Sequence, residues 1–88
     1  MNYRRWDSDE FKSELSKLKT QDRGLFERLT KRIEQIMENP THYAQSKSRY
    51  RIRGISYAYM GRLVIYLEVE GDLVKFHSIK HQDEVFGY

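Results

Sequence analysis

Between residues 41 and 67 the chain carries no acidic side chain, although 13 of its 88 residues are Asp or Glu. The same stretch holds Lys47, Arg49, Arg51, Arg53 and Arg62, interleaved with Tyr43, Tyr50, Tyr57, Tyr59 and Tyr66. Guanidinium and ammonium groups bind phosphates, and flat aromatic rings stack on unpaired bases, so this combination points toward RNA. It also suits a β-sheet whose tyrosines pack inside and whose arginines are its solvated face. Downstream, His77 and His81 add imidazoles able to move a proton near neutral pH, although each taken alone reads first as an ordinary surface histidine.

Composition bounds what such a site can belong to. Residues 1–88 form one small domain with material for a single modest core. The net charge of +3 and pI of about 9.2 permit nucleic-acid contact without requiring it. With zero cysteines, disulfide and thiolate-metal chemistry is excluded, which agrees with a reducing compartment. Neither an apolar leader nor a membrane-length apolar run is present, so a cytoplasmic protein is expected. His77 and His81 are four residues apart but fall in or beside an expected strand, not on one face of a helix as a zinc pair prefers, and His42 stands apart from both; no metal or cofactor is expected.

The elements that would position these groups follow from hydrophobic period. Tyr3–Trp6 reads as a short strand, after which Asp7 as cap, Glu10 as its reciprocal partner, and Trp6 with Phe11 as a staple predict a helix to about Lys19. Its stripe is Phe11, Leu15 and Leu18. Asp22 would cap a second helix from Arg23 to Glu38, with Phe26, Leu29, Ile33, Ile36 and Met37 inward and Asn39-Pro40 as the stop. The mixed-sign outer faces of both helices read as solvated scaffold.

From residue 49 the period falls to 2. Tyr50 and Ile52 alternate with Arg49, Arg51 and Arg53 in one strand; Ser56–Met60, Arg62–Val69 and Val74–Ile79 are three more. A tight turn at Gly71-Asp72 would put Leu63, Ile65, Leu67 and Val69 on one face with Val74 and Phe76. The other face would pair Glu68 with Lys75, Tyr66 with His77, Val64 with Ile79 and Arg62 with His81. Arg62, Tyr66, His77 and His81 would then cluster away from the core, and a one-residue slip would dismantle the cluster.

The order of strand, helix hairpin and β-meander, with Gly-Arg-Leu-Val-Ile-Tyr at 61–66 and His-Gln-Asp-Glu-Val-Phe at 81–86, resembles the RelE/ParE superfamily of type II toxins over nearly the whole chain. The resemblance implies an α+β fold, β-α-α-β-β-β, with an antiparallel sheet covered on one face by the hairpin. It further implies a metal-independent endoribonuclease that cuts mRNA in the ribosomal A site and blocks translation. A RelB-like antitoxin would hold it, in an assembly such as a heterotetramer. By position, Arg62 matches the family's phosphate-binding arginine, and Arg51 and Arg53 match its basic meander strand.

Two departures stand out: Gln82 replaces the arginine that follows the family's histidine, and Phe86 replaces its tyrosine. The expected catalytic set is therefore Arg62, His81, Tyr88, Lys80 and Arg53, with Lys47, Arg49, Arg51, Tyr66 and His77 contacting RNA. The alternatives are a ParE-like gyrase inhibitor, or a weakened toxin that acts with its antitoxin as a DNA-binding autorepressor.

Overall fold

The structure, a computed structural model, describes residues 3–40 and 56–81. The expected arginine-rich strand, the connection that precedes it, and Gln82, Phe86 and Tyr88 lie outside the described residues, as do Lys47, Arg49, Arg51 and Arg53.

The described elements run in the order β1 (Arg4–Asp7), α1 (Asp9–Gln21), α2 (Arg23–Glu38), β2 (Ser56–Met60), β3 (Leu63–Glu70) and β4 (Leu73–His81). The four strands form one sheet in the order β1-β4-β3-β2. Strands β2, β3 and β4 are an antiparallel meander, joined by turns in which Gly61 and Gly71 both adopt φ 58°, a left-handed conformation that suits glycine. β1 pairs with β4 in parallel, so the sheet is mixed and not antiparallel throughout. Only strands joined by a tight hairpin must be antiparallel. β1 is joined to the meander through two helices, which leaves its direction open, and in the parallel pairing Arg4 meets Asp72. The Asp72 carbonyl accepts from the Arg4 amide (2.7 Å), and its carboxylate takes the Arg4 guanidinium at 3.0 and 3.1 Å.

Ser8, not Asp7, caps α1. Asp7 is the last residue of β1, and Arg5 occupies its carboxylate at 2.8 and 2.9 Å. The Ser8 hydroxyl accepts from the Phe11 amide (3.0 Å) and donates to the carbonyl of His77 (2.5 Å), which ties the helix start to the middle of β4. Glu10 pairs with Lys80 at 3.5 Å instead of returning to the cap. The staple does not form either. Phe11 is fully buried and stacks on Phe76 (centroids 5.1 Å apart), whereas Trp6 alternates to the other face and is 48% exposed. Asp22 caps α2 as expected, its carboxylate accepting from the Leu25 amide at 3.1 Å, and Asn39 closes that helix.

The core lies between the helices and one sheet face. Phe11, Leu29, Ile33 and Ile36 meet Ala58, Leu63, Ile65, Leu67, Val74, Phe76 and Ile79. The inward residues expected of β3 and of the first half of β4 are those observed. Phe11→Ala should cost about 3–5 kcal/mol, because a buried ring leaves a cavity beneath Phe76. Ser8→Ala should cost about 1 kcal/mol from the cap alone and more for the orphaned His77 carbonyl. Urea denaturation midpoints with an unchanged slope would measure both.

Candidate functional site

The register of β3 on β4 decides what the outer sheet face presents. From the turn, Glu70↔Leu73, Val69↔Val74, Glu68↔Lys75 and Leu67↔Phe76 pair as the tight loop requires. The register then shifts, and the next pairs are Tyr66↔Ser78, Ile65↔Ile79, Val64↔Lys80 and Leu63↔His81. His77 is the additional residue of a β-bulge. Three of the four expected outer-face pairs are thereby corrected: Tyr66 faces Ser78, Val64 faces Lys80, and His81 faces Leu63. Arg62 sits in the exposed turn before β3, outside the ladder.

Consequently the expected four-residue cluster divides. His81 moves to the helix side, at a cleft lined by Glu14, Lys17, Leu18, Leu63, Ile79 and Lys80. Lys80, although opposite Val64, reaches past the end of β1 to the exposed carboxylate of Glu10. Tyr66 stays on the outer face and stacks on Tyr57, with centroids 4.9 Å apart and planes at 28°. Tyr57 is buried there, as are Val64 and Ser78, while Tyr59 is 39% exposed. Tyr57 thus packs as the sheet reading expects, and Tyr59 keeps part of its ring in solvent.

His77 acquires partners that sequence reasoning did not assign. Its Nε2 lies 3.2 Å from Glu68 Oε1, and its ring meets Trp6 edge to face at 6.2 Å. Trp6 reaches this face because it is the register partner of Lys75 in the parallel β1/β4 pair. The side chains of His77 and Glu68 are 31% and 26% exposed, partly desolvated but open to a ligand. Lys75 pairs with Glu70 at 3.2 Å, and its hydrogen bond holds the Glu70 carboxyl below the ordinary carboxylate range. A signal for the bulge was present in the sequence. The inward apolar residues of β4 are Val74, Phe76 and then Ile79, a spacing that strict alternation cannot keep on one face. Among the described residues no group of three or more His, Asp or Glu side chains is arranged to hold a metal ion. No helix among them is long and apolar enough to cross a membrane.

A helix hairpin on one face of a four-stranded mixed sheet, in the order β-α-α-β-β-β, is a RelE-like α+β fold. Among solved structures the chain is similar to YafQ in the crystal structure of the E. coli DinJ–YafQ complex. That match has 17% identity and a TM-score of 0.58, and covers 97% of this chain and 99% of that one. It is also similar to YafQ from E. coli strain BL21(DE3), with 14% identity, a TM-score of 0.56 and coverage of 97% and 99%. YafQ is a RelE-family type II toxin. At these identities the likeness is one of fold. No family model matches the sequence, and no curated protein matches it.

The carboxyls at the hairpin generate a pH prediction. Arg4 holds the Asp72 carboxyl below its ordinary value of 3.8, chiefly by hydrogen bonding, and Lys75 does the same for Glu70 against 4.5. A carboxyl with a lowered folded-state value adds stability that is complete above its unfolded value and is lost as pH falls through the folded one. Stability should therefore decline as pH drops below these ordinary values. The decline should be shallower in the double variant Glu70→Gln/Asp72→Asn, and salt should shrink the difference because both pairs are exposed. Urea titrations at stepped pH and two ionic strengths would measure it.

Proposed function

We propose that this chain is the toxin of a type II toxin–antitoxin pair and that it cleaves mRNA in the ribosomal A site. The observation that carries the reading is the match of fold to YafQ over 97% of the chain. The outer sheet face supports it with base-stacking and proton-transferring groups: Trp6, Tyr59, Tyr66, His77 and Glu68.

Cleavage by this route needs a nucleophile, charge stabilisation at phosphorus, and groups to accept and return protons. The 2′-hydroxyl beside the scissile phosphate is the nucleophile, so no metal is required to generate one. Arg62, held in a turn at the end of the sheet, would stabilise the phosphorane, supported by Lys80, whose ion pair with Glu10 is long and exposed. Tyr66 and His77 would contact the RNA. Arg53, Lys47, Arg49 and Arg51 keep their expected roles within the proposal, and His81 and Tyr88 are the C-terminal candidates for proton transfer. The expected Arg62–His81 pairing does not support His81, because the bulge places it opposite Leu63.

The DinJ–YafQ complex suggests the partner: an antitoxin that covers this chain until it is released. Such a partner would be acidic where it meets the arginines, and the ribosomal substrate would place the protein in the cytoplasm. Induction of the chain alone in a bacterial host, followed by mapping of mRNA 5′ ends, tests the reading. Codon-phased cuts in translated messages are expected. Growth arrest with intact mRNA and damaged DNA would replace the nuclease with gyrase inhibition. Arg62→Ala should lower kcat by about 10²- to 10³-fold with little change in RNA affinity.

A further inference from the structure

His77 is the extra residue of the bulge in β4, and bulges re-aim side chains at the places where they occur. Strict alternation after Phe76 would send His77 outward and Ser78 inward. The bulge instead puts His77 and Ser78 on the outer face together, opposite Tyr66, and returns Ile79 to the core. The bulge is pinned from behind, where the His77 carbonyl accepts the Ser8 hydroxyl at 2.5 Å, and from the side, where Glu68 holds Nε2 at 3.2 Å. Trp6 closes a third side edge to face. Around the imidazole, β3 contributes Glu68 and, further out, Glu70. β4 contributes Lys75, which Glu70 engages, and β1 contributes the uncharged Trp6. A carboxylate on one ring nitrogen fixes ring orientation and tautomer, leaving the other nitrogen for a substrate proton.

We propose that His77 is the proton-transfer group of this site and that Glu68 is the residue that positions it. The inference rests on the nuclease reading and adds to it. Through Nδ1, the nitrogen that Glu68 does not engage, His77 takes the proton of the ribose 2′-hydroxyl. The freed electron pair forms the O2′–P bond, and the P–O5′ bond breaks with its pair on O5′. O5′ takes a proton from water, and the imidazolium gives its proton to the hydroxide left behind. The products are a 2′,3′-cyclic phosphate and a 5′-hydroxyl.

Cleavage kinetics of the full chain on programmed ribosomes, across pH, test this. His77→Gln should lower kcat about 10²- to 10⁴-fold with KM nearly unchanged, and should abolish the limb of the pH–rate profile that the imidazole sets. Glu68→Gln should lower kcat less and displace that same limb, which a merely structural residue would not do. A readout independent of turnover is available because Trp6 is the chain's one tryptophan and touches His77. A protonated imidazole quenches a neighbouring indole, so Trp6 emission should titrate with a midpoint coincident with the kinetic limb. Should His77→Gln perturb the fold, Glu68→Gln and wild-type emission decide. Wild-type cleavage with an unmoved profile in Glu68→Gln, or an emission midpoint apart from the kinetic limb, overturns the inference and leaves the nuclease standing. A wild-type chain that cuts no message on the ribosome overturns both.

Discussion

Strand β4 has more residues than β1 can cover, and the chain's solution to that mismatch organises the molecule. The β1/β4 ladder ends at Asp7↔Phe76, while β4 runs on to His81. Beyond that point the amides and carbonyls on this side of β4 need other partners, since a buried polar group left unpaired costs roughly 1–3 kcal/mol. Helix α1 supplies them. The Ser8 amide donates to the Phe76 carbonyl (2.9 Å), the Ser8 hydroxyl to the His77 carbonyl (2.5 Å), and the Glu14 carboxylate accepts from the Ile79 amide (3.1 Å). The first turns of a helix thus continue the sheet, and α1 is fixed where Phe11 covers Phe76.

This arrangement also makes room for the bulge. An additional residue in a central strand interrupts a ladder on both sides, and its carbonyl must be satisfied off-register. Ser8 meets that need, so the cap of α1 and the irregularity of β4 are one hydrogen-bonded unit. The hydrophobic contrast between faces then survives the irregularity. Val74 and Phe76 before it and Ile79 after it all enter the core, and the polar pair His77 and Ser78 is placed outward.

The two sheet faces therefore do different work. One is the floor of the helix-packed core. The other carries stacked and exposed rings, a His–carboxylate pair and compensated charges, all on a backbone held by hydrogen bonds on both sides of β4. Groups mounted on strands in this way are held more rigidly than groups on loops. Clustering the outer groups near the centre of the sheet, next to its most constrained strand, suits a site whose geometry must persist when a flexible polymer binds.

By itself the sequence determined the helix hairpin, the cap at Asp22, the tight turn at Gly71-Asp72, the inward stripe of β3, and that of α2 from Leu29 to Met37; in the first turn of α2 it is Leu25, not the expected Phe26, that packs against the core. Each depends on contacts within a few residues, where periodicity and turn chemistry dominate. Tertiary structure decided the rest. The parallel direction of β1, in which Arg4 meets Asp72, and the cap at Ser8, with Asp7 engaged by Arg5, appear only in the assembled fold. The bulge at His77 separated His81 from the outer face and brought Glu68 and Trp6 to His77. The Val74, Phe76, Ile79 spacing hinted at that bulge, but its location depends on a carbonyl finding the hydroxyl of Ser8, 69 residues away in the chain, and a pairing so distant leaves no local pattern.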